Sequence, residues 1–440
     1  MENESVLVGS AFSTFEFSLP EILNGHINRN QPAYSFMDLP EIHVCILKQK
    51  ALKVVLISVD LLEMDSDLTL EMRSKIASSV DTEVDNVLLC CTHCHTMPSA
   101  IVLGSVGISE QFVHSLKTAM FDLVSKADSS YVPCNVFSSA GECKGIGINR
   151  RKLIDGQIVM APNPEGLIDD SVSSVWFCPV GSNAPVCALV SHALHATTLD
   201  TSIFQVSADY PGRMRNHVRQ ALGDVNVLFF NGTCGDVRPN LIHEDGGFRG
   251  GFEKDLEDIG TELAASVVSS FASRRPENCL LSCCSETMNL KYDYKARDKA
   301  KRRVLSETSS EARQINQGLL GAALNQWDKE IVEIEKTCKP DSVPFICQCI
   351  SIADDLKIVA MEGEMFTETG LKIKKSDPSC RVLIATYANG SVGYVPTCEA
   401  LENRGYEADD AYKLYWKHAP FARDTSDRIA LVCSKLLKSH

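Results

Sequence analysis

The chain has 440 residues, enough for one large core or two domains. Hydrophobic residues make up 44% and charged residues 23%, which places it with soluble globular proteins and not with disordered or membrane-spanning chains. Acidic residues outnumber basic ones by 57 to 43, and the resulting charge of −14 argues against a broad nucleic-acid footprint, which needs a basic surface.

Met1 to Ser5 carries no basic segment followed by a long apolar run, so no secretory signal is expected. The longest apolar run, Val54 to Ile57 with Leu61 and Leu62, is interrupted by Asp60 and is too short for stable membrane insertion. Eighteen cysteines are scattered through the chain, with vicinal pairs at Cys90-Cys91 and Cys283-Cys284 and no regular CxxC pairs. The simplest expectation is reduced thiols acting as small hydrophobes, and therefore a cytoplasmic protein.

In chain order, the turn Leu23-Asn24-Gly25-His26 brings a lone loop histidine, whose ordinary fate is solvation. Two strands are predicted at Ile42 to Leu47 and Leu52 to Val59, the second ending in Asp60, a site residue or a cap. A helix is expected over Leu68 to Ser79. The buried run Asn86 to Leu89 then leads into Thr92-His93-Cys94-His95-Thr96-Met97-Pro98. If extended geometry persists, His93 and His95 face one side and suit a metal or a proton shuttle. An amphipathic helix follows at Gln111 to Lys126 and a strand at Cys134 to Ser138. The glycines of Gly145-Ile146-Gly147 are too sparse for a phosphate loop, which disfavours a dinucleotide fold. Arg150 and Arg151 beside them are able to clamp a carboxylate.

Paired strands at Val172 to Phe177 and Val186 to Val190 run into Ser191-His192-Ala193-Leu194-His195, a second apolar strand ending in histidine. Asp209 fits a capping position before a helix carrying Arg213, Arg215 and Arg219. The buried strand Val225 to Phe230 enters Asn231 to Asn240, a glycine-punctuated loop fit to approach a ligand. A helix at Lys254 to Ala272 and a strand at Leu280 to Leu290 precede a charged helical insertion at about 296–338. Strands at Phe345 to Ile352, Leu356 to Met361 and Val382 to Thr386 lead into Glu362-Gly363-Glu364 and Asn389 to Pro396. No repeat or linker interrupts the chain, so residues 1–440 read as a single domain. Its class is α/β: a large mixed sheet, or two packed sheets, flanked by helices.

The strand-end loops together supply His93, His95, His195, Asp236, Glu364 and Tyr394. Nitrogen donors with a carboxylate, and one position left open, make a zinc set.

Several motifs in the same order resemble the neutral, non-lysosomal ceramidases in their catalytic domain. Thr92 to Pro98 is similar to THTHSGP, His195-Ala196-Thr197-Thr198 to the second histidine loop, and Gly235 to Asn240 to GDVSPN. Gly363-Glu364, Asn389 to Pro396 and Gly405-Tyr406-Glu407 resemble the late Glu and Tyr motifs. The resemblance implies Zn2+ bound by His93, His195, Glu364 and Tyr394, with His95 beside the activated water or oxyanion and Arg150 as a pocket arginine. It also implies hydrolysis of an N-acyl amide by metal-activated water, with acidic or imidazole neighbours such as Asp236 protonating the leaving amine.

The chain departs from that pattern in informative ways. Arg238 stands where GDVSPN has serine, which removes a serine nucleophile and offers a cation for an anionic substrate group. Cys94 lies between the histidines, a buried thiol or a nucleophile. The sequence ends before the region of the family's carboxyl-terminal sandwich-like domain. The expected partner is therefore a small, polar N-acyl substrate and not ceramide. Other readings are acyl transfer or ester hydrolysis at the same metal, or a non-catalytic binding protein on the same fold. Oligomeric state cannot be read from these residues.

Overall fold

The computed structural model describes residues 5–299 and 319–439. Alternating side chains of the hairpin Glu41–Gln49 and Leu52–Val59 set the architecture, because both faces are apolar. Val44, Ile46, Val55 and Ile57 enter one core, whereas Cys45, Leu47, Val54 and Leu56 enter another. A strand buried on both faces needs a layer on each side. On the first face lie the helices Ser66–Val80, Glu110–Asp128, Asp209–Leu222 and Glu253–Ala272, which contribute Met72, Leu116, Met214 and Leu263. On the second face lies another sheet.

The first sheet is mixed. Its strands run in the order Asn226–Asn231, Cys187–His192, Ser171–Pro179, Val132–Glu142, Val6–Thr14, Glu41–Gln49, Leu52–Val59, Val87–Cys91. The pairs at the two ends are parallel and those between are antiparallel. The second sheet orders Ser282–Lys291, Ser342–Ala353, Leu356–Met361 and Arg381–Ala385. Its Ile350, Ile352, Ile358 and Leu383 pack on Leu56, Leu88, Leu189 and Phe230 of the first. The helix Thr425–Lys438 closes the far side through Ile429, Cys433 and Leu437. This is the α/β arrangement of packed sheets flanked by helices.

In a flat sheet, the strands preceding His93 and His195 would be six spacings apart, roughly 29 Å at ~4.8 Å each. The first sheet instead curls until its ends meet. The Ser58 hydroxyl donates to Phe229 O at 2.6 Å, and Asn226 Nδ2 donates to Val44 O at 2.9 Å. Arg215, fully buried, reinforces the junction with ion pairs to Asp60 at 2.5 Å and Glu41 at 2.8 Å. Asp60 thus closes the barrel-like curl and also accepts from Thr92 Oγ1 at 3.1 Å, directly before His93.

All eighteen cysteines are free and most are buried. No helix among the described residues is long and apolar enough to cross a membrane. Of the insertion expected at about 296–338, the helix Leu319–Thr337 is described and buries Trp327 against Tyr412; residues 300–318 lie outside the described residues.

Replacing Arg215 with alanine leaves buried Asp60 without its cation and Glu41 with Arg219 alone, and should lower unfolding stability by about 3–5 kcal/mol in urea titrations. A loss below about 1 kcal/mol would mean that the buried pairs do not hold the curl.

Candidate metal centre

The strand Val87–Cys91 ends before the histidine pair, and the backbone then turns into the left-handed region at His93, φ +62°. The two histidines therefore do not lie on one face of an extended segment, as their spacing predicts. A left-handed turn folds them toward each other, with ring centroids 4.7 Å apart and planes at 87°. Such a conformation costs a non-glycine residue about 1–3 kcal/mol and persists where surrounding contacts impose it. Here Cys94 N donates to Leu61 O at 2.9 Å, and Asn231 spans both histidine loops. Asn231 Nδ2 donates to Thr92 O at 3.2 Å and Leu194 O at 2.9 Å, while its Oδ1 accepts from Leu194 N at 3.2 Å. Asp209, expected as a cap, instead sits inside the helix start and holds the second loop. It accepts from Thr198 Oγ1 at 2.6 Å and from Thr198 N at 3.1 Å.

His93, His95 and His195 form a group with ligand atoms all within 4.8 Å of one another. The proton positions follow from the outer contacts. His93 Nδ1 lies 3.0 Å from Leu62 O, and His195 Nδ1 lies 3.1 Å from Cys234 O. A carbonyl only accepts, so each Nδ1 carries a proton, and in that tautomer the ring presents a lone pair at Nε2. Those two Nε2 atoms are 2.9 Å apart. Glu364 Oε2 lies 3.2 Å from one and 3.5 Å from the other, buried and without a hydrogen bond among the described residues. Burial, then His93 and Arg150, hold the His195 pKa well below its ordinary value, which disfavours a bridging proton. Three acceptors converging in this way fit a cation.

Glu364 is oriented by Tyr415, whose hydroxyl donates to Oε1 at 2.6 Å. Tyr394 is its register partner across a short parallel ladder. Arg150 Nη2 donates to the Tyr394 oxygen at 2.8 Å, and Arg150 Nε donates to Glu407 Oε1 at 2.9 Å. Burial pushes the Tyr394 phenol well above its ordinary pKa, against the pull of Arg150. Tyr387 stacks on His93 with centroids 3.9 Å apart. Glu63, 4.0 Å from His93 Nδ1, has its carboxyl pKa raised by burial and then by Glu364, and accepts from Ser391.

The structure brings His93, His95, His195 and Glu364 together, with Tyr394 and Arg150 alongside. Asp236 is engaged otherwise. Its Oδ1 accepts from Thr367 N and Oγ1, both at 2.8 Å, and its Oδ2 from Asn149 at 3.1 Å, so it ties the loop to neighbouring elements. Arg238 has its guanidinium 4.5 Å over the Phe248 ring and no ion pair among the described residues. The Cys94 thiol contacts Ser207 O at 2.9 Å, and burial raises its pKa well above that of a reactive cysteine, so it packs and does not attack.

His26, expected to be a solvated loop residue, is half-buried with its ring 5.0 Å from that of His95. Its Nε2 meets Thr197 Oγ1 at 3.1 Å. Gly25 explains the approach. At φ +97°, a Cβ there would lie 2.6 Å from His95 Nδ1. Tyr387, Tyr415, Glu63 and Asn231 were not singled out from sequence as site residues. Tyr387 precedes and Tyr415 follows the motif segments, and no local spacing marks either.

No family model and no curated protein sequence matches the chain. Solved structures do. The neutral ceramidase from Pseudomonas aeruginosa superposes with a TM-score of 0.75 at 14% identity, covering 99% of this chain and 74% of that one. A ceramidase complexed with C2 gives 0.74 at 15% identity, covering 98% and 75%. The fold is neutral-ceramidase-like.

The neutral rings carry a pH signature. The His95 and His195 pKa values are lowered by burial first and by neighbouring cations and histidines second. A folded pKa below the unfolded 6.5 means that stability is complete above about pH 6.5 and is lost as pH falls, because only the unfolded rings take up protons. Chelator-treated protein should lose up to about 1.4 kcal/mol per pH unit for each ring below that point. Equilibrium unfolding from pH 7 to 5 should show this, with a shallower slope in His195→Gln. An unchanged slope would place the buried proton uptake elsewhere.

Proposed function

We propose that this chain is a zinc-dependent hydrolase of N-acyl amides, with His93, His195, Glu364 and Tyr394 as the ligand set. The observation that carries it is the convergence of His93 Nε2, His195 Nε2 and Glu364 Oε2 within 2.9–3.5 Å of one another, while both Nδ1 atoms face backbone carbonyls. Nitrogen and oxygen donors of this kind suit zinc, which when bound lowers the pKa of water and polarises a carbonyl.

The chain's own groups divide the remaining work. Leu62 O and Cys234 O fix the histidine tautomers, and Tyr415 fixes the carboxylate. Arg150 orients the Tyr394 oxygen and favours its ionised form. His95 is held neutral, and its Nε2, 3.1 Å from His93 Nε2, is the ring nitrogen directed at the centre. As a neutral base it would take a proton from the attacking water and return it to the leaving amine. With Arg238 in place of serine, no hydroxyl nucleophile is required.

A cavity of about 570 Å3 adjoins the centre through His26 and Arg29, walled by Ile22, Ile27, Leu103 and Val106 with Asn24 and Ser99 among them. That size and mixed lining suit a small N-acyl compound with one apolar arm. The three-histidine group also favours a second reading, in which His95 is itself a ligand.

The test pairs metal analysis with turnover on N-acyl compounds ranging from acetylated amino acids to ceramide. Wild type should hold about one zinc and cleave the polar members, and His195→Ala should lose both properties. His95→Gln should retain the metal and lose about 10^2–10^4-fold in kcat. Metal loss in His95→Gln would make it a ligand, and a metal-free, inactive wild type would contradict the proposal. Preferential cleavage of ceramide would overturn the polar-substrate assignment.

A further inference from the structure

Buried arginines in this fold are, as a rule, matched. Arg215 faces Asp60 and Glu41, Arg150 faces Glu407, and Arg73 donates to Val84 O and Val87 O. Half-buried Arg238, beside the candidate metal centre, has no such partner among the described residues. It sits on the strand Val237–Pro239, paired antiparallel with Gly147–Ile154, four residues after the carbonyl that holds His195. Its Nε is buried without a hydrogen-bond partner among the described residues. Burial and then the repulsion of Arg150 push its pKa down to about 10, and no carboxylate offsets them. It remains a cation at neutral pH.

A second arginine repeats the pattern across His26. Arg29 is 5% exposed, its Nη1 donates to His95 O, and its Nε and Nη2 are buried and unpartnered. Asp200 and Asp209 are the carboxylates whose charge reaches it; neither is in ion-pair contact, and Asp200 Oδ1 already accepts from Ser202 N at 2.9 Å. The charges of Arg29 and Arg238 both bear on His26. Two under-compensated guanidinium groups therefore act on one histidine, and that histidine and Arg29 line the cavity. An unpaired buried cation is destabilising unless something neutralises it. Phe248 holds its ring 4.5 Å from the Arg238 guanidinium, a cation–π contact that does not consume the in-plane N–H edge, which receives a carboxylate in two parallel hydrogen bonds.

We infer that the compound bound beside this metal centre carries an anionic group of the carboxylate class, received by Arg238 braced on Phe248, with Arg29 adding to the field. The word substrate for that compound rests on the hydrolase reading above; the ionic contact does not. The chain's overall charge of −14 repels anions at long range, so recognition of one requires such a local positive site.

The probes are the ketomethylene isostere of N-hexanoylglycine, which resists hydrolysis, and its neutral N-methylamide, titrated calorimetrically into the metal-loaded protein. Wild type should prefer the acid. Arg238→Gln should weaken the acid by about 10- to 100-fold and leave the amide unchanged, the range of a charge-assisted contact. Arg238→Lys, which keeps the charge and loses the fork, should fall between them, and matching thermal midpoints will show that both variants are folded. Equal affinity for acid and amide, discrimination surviving in Arg238→Gln, or binding of neither probe would overturn the inference. Discriminating binding without cleavage of N-hexanoylglycine would instead sink only the hydrolase reading.

Discussion

His93 and His195 each commit Nδ1–H to a backbone carbonyl, and the direction of both Nε2 lone pairs follows from that. Leu62 O and Cys234 O belong to loops at opposite ends of the first sheet, so the pair exists only because the sheet has curled. Two lone pairs 2.9 Å apart, with a carboxylate oxygen beside them, repel unless a positive charge lies between. A proton is opposed by burial and by Arg150. On the proposed reading a divalent cation would meet all three donors at once, and the outer contacts have the form expected of support around metal ligands.

Much of the surrounding structure can be traced to keeping those donors in place. Arg215 joins the two ends of the curl, Asn231 bridges the loops of His93 and His195, and Asp209 holds Thr198 behind the second loop. The left-handed backbone at His93 and the missing side chain at Gly25 are local concessions to the same end. One turns the ring inward and the other admits His95. Arg29 holds the His95 carbonyl with one nitrogen but leaves Nε and Nη2 unpartnered, and Arg238 pairs with no carboxylate among the described residues. That contrast separates charges used to build the fold from charges left available to a ligand.

Many of the strands and the long helices were legible because periodicity reports burial, but the central strand Val6–Thr14 and the hairpin of Gly147–Ile154 with Gln157–Asn163 were not. The hairpin at Ile42 to Val59, the helix at Gln111 to Lys126 and the strand pair before His195 appear with ends shifted by a few residues. The histidine pair and Glu364 were legible as chemistry-bearing residues at strand ends. Their mutual geometry was not. Strand order and curl arise from long-range packing, and the turn at His93 runs against the extended spacing that first drew attention to it. Tyr415 and Tyr387 carry no local signal, and His26 was read as an ordinarily solvated loop histidine, because each reaches the centre from a remote part of the chain. Asp236 shows the opposite limit. A carboxylate in a suggestive loop motif is occupied by Thr367 and Asn149, and only the hydrogen-bond pattern reveals it.

The most direct measurement is an anomalous-scattering map recorded at the zinc edge on crystals of the purified protein. The account predicts one strong peak about 2.0–2.2 Å from His93 Nε2, His195 Nε2 and Glu364 Oε2. Converged side chains with no peak between them, or a metal held by other residues, would contradict it.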